Sequence, residues 1–252
     1  MANRMVLDTE TTSLDRPFCY DIGWLIFNSD NGEVLSEKHY VIEQVWHNLP
    51  LFESAYYKEK RPDYVTLMRQ HSAIMDKFGY VMQAMRREIL KYEVVAAYAF
   101  NSNFDDKVLA FNCDWFKCMN PLDDIPVFDI WGYSSAYITN TPDFRTFCEA
   151  NQRFTDTGNY SGNAETVYQF ITNNPAFVER HMGYYDSDIE MKILLECVKR
   201  GAAWDTPYPA KRVLPRIQNK PFTIKVNGTI IYQGEYIKKN VRNDIYNFTT
   251  GE

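Results

Sequence analysis

Histidine, cysteine and long apolar runs are all scarce in this sequence, and each scarcity excludes something. There are five cysteines (Cys19, Cys113, Cys118, Cys148, Cys197) and four histidines. An odd cysteine count cannot pair completely, and no two cysteines form a CxxC motif. They read as reduced thiols, so the expected location is cytoplasmic. Without C-x₂-C or H-x₃-H spacing, a thiolate zinc site is not expected. The longest apolar stretches, such as Ile22–Phe27 and Val94–Phe100, fall far short of the roughly 20 residues that span a bilayer. The N-terminal residues meet an acid at Asp8, which leaves no apolar core for a signal peptide. No membrane role is expected. Repeats, heptads and low-complexity tracts are absent as well.

What is present is the composition of a globular protein. The chain has 252 residues, 45% hydrophobic, 24% charged and 15% aromatic. That suits one large domain or a domain with an appendage, and so many large side chains argue against disorder. The formal net charge is −6, but it is unevenly spread. Residues 1–198 hold 17 basic and 29 acidic groups, whereas residues 199–242 hold ten basic groups against two acids. An acidic body is therefore followed by a basic C-terminal region. Such a region reads either as a solvated surface or as an arm that contacts phosphates through Lys211, Arg212, Arg216, Lys220, Lys225, Lys238 and Lys239.

The patterning predicts alternating strands and helices. Met5–Leu7 opens a strand that stops at Asp8, and Asp21–Ser29 reads as a second. Asn31-Gly32 is a turn signal before a third strand, Glu33–Ile42. Glu43–Pro62 reads as loop with a short helix. The stripe Ile74, Phe78, Val81, Met82, Met85, Ile89 predicts a helix within Leu67–Lys91. Val94–Phe100 reads as a buried strand, with a helix from Asn103, and Ile125–Ile130 as a further strand. Glu165–Ile171 and Ser187–Arg200 read as helices, the latter stopped by Gly201. Alternation around Asn227-Gly228 predicts a hairpin near 222–233. The order implies an α/β sheet covered by helices, with Asp8 and Asn101 at neighbouring strand ends.

Three acidic elements stand at element ends. Asp8-Thr9-Glu10 follows the first strand, and residues i and i+2 of a strand face the same way. Their repulsion is relieved by a hard divalent cation with oxygen ligands; alone, the pair could equally be solvated. Asn101-Ser-Asn-Phe-Asp105 follows the buried strand, where Asp105 could simply be an acid favoured at a helix start. His181-Met-Gly-Tyr-Tyr-Asp186 leads into an amphipathic helix. Its spacing works if His181 sits on a loop and Asp186 in the first helical turn. Asp188 and Glu190 read as solvated first-turn acids.

Together, in this order, Asp8-Thr-Glu10-Thr-Thr-Ser-Leu14, Asn101-x-x-Phe-Asp105 and His181-x₄-Asp186 resemble the DEDDh family of 3′→5′ exonucleases. The resemblance covers about residues 1–200, leaving 201–252 as a basic extension with the hairpin. It implies a ribonuclease-H-like fold, a mixed five-stranded sheet flanked by helices. It also implies two divalent cations, Mg²⁺ or Mn²⁺, held by Asp8, Glu10, Asp105 and Asp186. His181 would be the general base that takes a proton from the attacking water, and all five residues would be catalytic. Thr11, Thr12, Leu14, Asn101 and Phe104 are the substrate-binding candidates, with Leu14 wedging against the last base. Core packing is the competing reading for Leu14 and Phe104. Asp129 resembles a recurrent family feature without a catalytic role. Two departures are Ser13, where the family often has Gly, and Gly183, where it often has Ala.

The implied activity is metal-dependent hydrolysis of single-stranded DNA from the 3′ end, releasing nucleoside 5′-monophosphates. The alternatives are a 3′→5′ exoribonuclease and a non-catalytic nucleic-acid-binding or polymerase-accessory protein of the same fold. The expected partner is a single-stranded nucleic acid 3′ end, with room for a DNA polymerase or replication partner. Loop aromatics Trp46, Tyr56, Tyr57, Trp115 and Trp131 could stack on unpaired bases or pack within the protein.

Overall fold

Alternation along the first strand sets the layers of the fold. Met5 and Leu7 point to one face and Val6 to the other, all three fully buried. A strand that buries both faces must be central. In the computed structural model, which describes residues 2–156, 158–211 and 213 and the backbone of 221–226 and 229–235, that is where it lies. In chain order the elements are β1 (Asn3–Thr11), β2 (Cys19–Asn28), β3 (Val34–Ile42), α1 (Glu43–Trp46), α2 (Leu49–Phe52) and a 3-10 turn at Lys58–Lys60. Next come α3 (Arg61–Arg69), β4 (Ile74–Asp76), α4 (Phe78–Lys91), β5 (Val94–Ala99), α5 (Ser102–Phe116) and β6 (Val127–Asp129). Then follow α6 (Ile130–Ser134), a π turn at Ser135–Thr139, α7 (Pro142–Ala150), α8 (Ala164–Ile171) and α9 (Gly183–Lys199). Strands β7 (Pro221–Val226) and β8 (Thr229–Glu235) form a separate antiparallel pair. The turn expected at Asn227-Gly228, and the basic residues Arg212, Arg216, Lys220, Lys238, Lys239 and Arg242, lie outside the described residues.

The main sheet is mixed, ordered β4-β3-β2-β1-β5-β6. β1, β2 and β3 form an antiparallel meander, and β5 and β6 add in parallel beyond β1. The expected mixed α/β sheet is therefore present, with six strands rather than five. The extra strand lies inside the stretch whose periodicity predicted a helix. After α3 the chain turns at His71, whose φ is +58°. Ile74–Asp76 then pairs in parallel with Tyr40–Ile42 at the sheet edge. Ile74 fits the helical stripe by spacing, yet it is 49% exposed. The stripe proper is Phe78, Val81, Met82, Met85 and Ile89, all buried on α4.

Helices cover both faces. On one, Ile22, Trp24 and Ile26 of β2 join Met5 and Leu7 against α4 and α5. On the other, Leu25, Phe27 and Tyr98 meet Val167 of α8 and Ile193, Leu194 and Cys197 of α9. Each such buried aliphatic or Phe side chain contributes about 1.5–3 kcal/mol relative to exposure. All five cysteines are free. Among the described residues no helix is long and apolar enough to cross a membrane.

The packed chain does not end at residue 200. Ala202 and Val213 are buried in the α9-side core. Arg4, 6% exposed on β1, donates from Nε and Nη2 to the two carboxylate oxygens of Asp205 at 3.0 and 2.6 Å. The Tyr98 hydroxyl donates to Asp205 Oδ1 at 2.6 Å. These bonds hold the Asp205 carboxyl below its ordinary pKa. Farther on, the Lys211 N–H donates to the Ser135 hydroxyl. The segment after α9 is thus fastened along the body at both ends.

One close approach governs how α9 meets the sheet. A Cβ placed on Gly23 of β2 would lie 2.0 Å from the Tyr184 backbone nitrogen and 2.2 Å from the Gly183 carbonyl carbon. A Cβ on Gly183 would lie 2.5 Å from Gly23 N and 2.8 Å from Asp8 O. Neither position admits a side chain without backbone movement. Gly23→Ala should therefore destabilise the protein toward the upper end of the roughly 1–3 kcal/mol typical of overpacking. Chemical denaturation measures this, and an unchanged midpoint would show that α9 can lift away freely.

Candidate active site

Asp8 and Glu10 share the β1 face of Val6, which is the face that α9 covers. The register sets Asp8 beside Gly23 and Glu10 beside Asp21 of β2. Because Gly23 carries no side chain, the first turn of α9 descends onto the sheet there and brings Asp186 with it. Asp186 is 3% exposed, and the Met182 N–H donates to its Oδ2 at 2.9 Å. His181 precedes the helix in a left-handed conformation, φ +50°. One ligand atom each from Glu10, His181 and Asp186 fall within 4.8 Å of one another. The loop histidine and first-turn aspartate required by the spacing are what the structure contains.

Asp105 arrives from the first turn of α5, across the β1–β5 junction. It is 3% exposed. Its Oδ1 accepts from the Thr9 N–H at 3.1 Å and from the Thr9 hydroxyl at 2.7 Å. Thr9, between the two acids of the first motif, therefore faces away from them and fixes the third. At the head of α5, Asn101 has φ +63°, a region Asn tolerates better than most residues. Its N–H donates to Asp129 Oδ1 at 2.9 Å, and so does that of Trp131 at 2.9 Å. Asp129 thus pins the strand end beside the site.

Electrostatics define this cluster. Asp8 is pushed well above its ordinary pKa by burial first, then by Glu190, Asp105, Asp186 and Glu10. Burial and then Asp186 raise Glu10 in the same way. Burial lifts Asp105 to about 7, opposed by its bonds from Thr9. Asp186 rises to about 8 through burial and then Glu179. The Asp8 Oδ2 and Asp186 Oδ1 atoms are buried without hydrogen-bond partners. Buried carboxylate oxygens without donors are the donor set that a hard divalent cation takes. This donor chemistry suits a hard divalent cation, although among the described residues only Glu10, His181 and Asp186 have ligand atoms within 4.8 Å of one another, and Asp8 and Asp105 stand outside that group.

The other sequence-predicted residues fall in different places. Leu14 is 83% exposed, so it is not part of the core. Thr11 is half-buried, whereas Thr12 is buried and closes its loop through its N–H to Phe18 O at 3.0 Å. Asn101 is exposed, and half-buried Phe104 packs against the core. Of the loop aromatics, Trp46 is buried, while Tyr56 and Trp115 are 83% and 58% exposed. Tyr57 packs on His181, and Trp131 lines a groove with Asn101.

Sequence reasoning missed two acids. Glu190, expected to be solvated, is 3% exposed and accepts from the Phe100 N–H at 3.1 Å. Its carboxyl is raised well above its ordinary pKa by burial first and then by Asp105. The spacing i, i+4 from Asp186 puts both on one helix face, a signal available in the sequence. Asp188 does lie at the surface, 2.6 Å from Lys192 Nζ. Asp21, fully buried, accepts at Oδ2 from the Tyr64 hydroxyl at 2.6 Å and the Gly183 N–H at 2.9 Å. Its Oδ1 lies 2.8 Å from His39 Nε2. It seats the start of α9 on β2.

No family model and no curated protein sequence matches the chain. Solved structures do. A 3′-exonuclease in a structure of 3′-end-specific recognition of histone mRNA stem-loop matches at TM-score 0.56 and 11% identity, over 85% of this chain and 96% of that one. The nuclease domain of 3′hExo, a DEDDh family member bound to rAMP, matches at TM-score 0.45 and 10% identity, over 79% and 92%. E. coli Exonuclease I with a dA16 oligonucleotide gives TM-score 0.48 and 14% identity, over 79% of this chain and 41% of that one. The likeness in the first of these shows the fold alone, a mixed α/β sheet flanked by helices.

Raised acid pKa values have a thermodynamic consequence. Between the ordinary carboxylate range and about 7–8, the folded metal-free protein binds more protons than the unfolded chain. Stability of the metal-free protein should therefore fall as pH rises from about 5 to about 8. Added Mg²⁺ or Mn²⁺ should raise Tm more at the upper end, where the site is ionised. Thermal melts with chelator and with each ion measure this, and an ion effect independent of pH would argue against the carboxylates as ligands.

Proposed function

We propose that this protein is a divalent-cation-dependent 3′→5′ exonuclease of the DEDDh type, acting on single-stranded DNA and releasing nucleoside 5′-monophosphates. The observation that carries this reading is the convergence of Asp8, Glu10, Asp105 and Asp186 from three elements, with His181 beside Glu10 and Asp186. The fold likeness to a 3′-exonuclease supports it. The solved exonuclease structures hold RNA in one case and a DNA oligonucleotide in another. RNA is accordingly the alternative substrate.

The side chains divide the work. Burial, and then the Lys60 charge, lower the His181 pKa below the ordinary imidazole value, so its ring is neutral at pH 7. In that form it accepts the proton of the attacking water. Asp8, Glu10, Asp105 and Asp186 would hold divalent cations, which when bound would supply the positive charge that phosphodiester hydrolysis needs. Thr9 and the Met182 N–H hold Asp105 and Asp186 in fixed orientations. Exposed Leu14 is free to wedge against the terminal base. The domain unit proposed is residues 1–200, extended by the packed segment to Val213, followed by a basic extension that contacts substrate phosphates.

Incubating 5′-labelled DNA and RNA oligonucleotides with Mg²⁺, Mn²⁺ or chelator tests the reading. The expected result is a ladder shortening from the 3′ end, lost with chelator, and stronger on DNA. His181→Ala should lower kcat by about 10²–10⁴-fold, the usual worth of a general base. Asp8→Ala and Asp186→Ala should abolish hydrolysis while circular dichroism stays native, and undiminished cleavage by either would remove the ligand assignment. Truncation after Val213 should weaken binding and flatten its salt dependence; an unchanged salt slope would leave the extension without a phosphate role.

A further inference from the structure

The segment between β3 and α4 has no part in the motifs, yet it reaches the active site at one point. Tyr57 lies face to face with His181, ring centroids 4.2 Å apart and planes inclined by 10°. Lys60 Nζ sits 4.7 Å from the centre of the same tyrosine ring. It also donates to the Arg180 carbonyl, one residue before His181. The Arg180 guanidinium in turn stacks on Tyr185, 4.2 Å from its centroid. The loop that carries His181 is thus gripped on its ring and on its backbone.

The grip is anchored to the sheet. Tyr57 leads directly into the 3-10 turn and α3, and Tyr64 of α3 donates its hydroxyl to buried Asp21 at 2.6 Å. Asp21 also accepts the Gly183 N–H, the first residue of α9. Tyr57 and Asp186 therefore hang from the same buried carboxylate by two short routes. His181 needs such support, because its left-handed backbone is a conformation that a free loop would abandon. Carboxylate oxygens of Glu10 and Asp186 lie within 4.8 Å of an imidazole nitrogen, and Glu179 Oε2 lies 3.8 Å from Nδ1. That distance is too long for a hydrogen bond to fix the ring.

We propose that Tyr57 and Lys60 are positioning residues for His181, holding its imidazole over Glu10 and Asp186 before substrate arrives. The inference rests on reading His181 as the general base. Stacking fixes the ring plane while leaving the ring nitrogens at the edge, so the base is oriented without being consumed as a hydrogen-bond donor. Tyr57 is then not a base-stacking platform for substrate, the role open to it from sequence. Pre-set geometry of this kind acts on the reaction step and not on substrate affinity.

The test uses the full-length protein with Tyr57→Ala, Tyr57→Phe and His181→Ala. Tyr57→Ala should lower kcat on a single-stranded oligonucleotide by about 10–100-fold with KM nearly unchanged. Tyr57→Phe keeps the stack and should restore kcat. With ¹³C-labelled histidine, the four imidazoles give separate carbon-bound proton resonances. Loss of the Tyr57 ring current should move the His181 signals alone downfield in Tyr57→Ala, and not in Tyr57→Phe. This readout is independent of turnover. A Tyr57→Ala protein with raised KM and normal kcat would overturn the proposal in favour of a substrate contact. Normal kcat in Tyr57→Ala beside an inactive His181→Ala would overturn it while leaving the general base intact. A fully active His181→Ala would overturn the parent reading and this inference with it.

Discussion

The site depends on a contact between two backbones that only glycine permits. Gly23 and Gly183 let the first turn of α9 rest directly on β2, with the Gly183 position also crowding the carbonyl of Asp8. Asp186 projects from that turn, and Glu190 follows one turn later on the same face. Move the helix outward by the width of a methyl group and the carboxylates of β1 and α9 separate. Gly183, a departure from the family pattern at sequence level, is thus the residue that sets the spacing of the site. Asp21 secures the contact from below by accepting the Gly183 N–H.

This packing assembles charges that repel each other. Asp8, Glu10, Asp105, Asp186 and Glu190 are all raised, in each case by burial before anything else. Lys60 opposes this, lowering both Glu10 and Asp186. The fold tolerates the cluster because the stiff sheet and the two cores absorb the unfavourable energy. Such tension is usual where function overrides stability. Under the proposed function, bound divalent cations would offset this repulsion.

The sequence made the frame legible wherever a pattern had a single physical cause. The short apolar run Met5–Leu7 and the longer Val94–Phe100 run located the central strands. The Asn31-Gly32 turn located the first hairpin, and Gly32 does take φ +75°. The three acidic elements were readable because each stands at or near an element end, although β1 continues past Asp8 to Thr11 instead of stopping there. What stayed hidden had a non-local cause. Ile74 matched a helical stripe, and only its pairing with Tyr40 at the sheet edge makes it strand. Asp21 resembles an ordinary strand acid until Tyr64, 43 residues later, is seen to bond to it. Tyr57 carries no local mark of its stack on a histidine 124 positions away. Glu190 was the exception, since helical spacing alone would have set it beside Asp186.

The Arg4–Asp205 clamp carries a consequence for what lies beyond it. Asp205 is fastened near the start of β1, the end opposite Asp8. From there the chain crosses the body past Ser135 to Val213. Val213 lines a groove of about 570 Å³ together with Asn101, Trp131 and Asn163. Val213 therefore stands on the same rim as the head of α5. The clamp at Asp205 thus couples the start of β1 to the rim at the head of α5 through a single packed segment of chain.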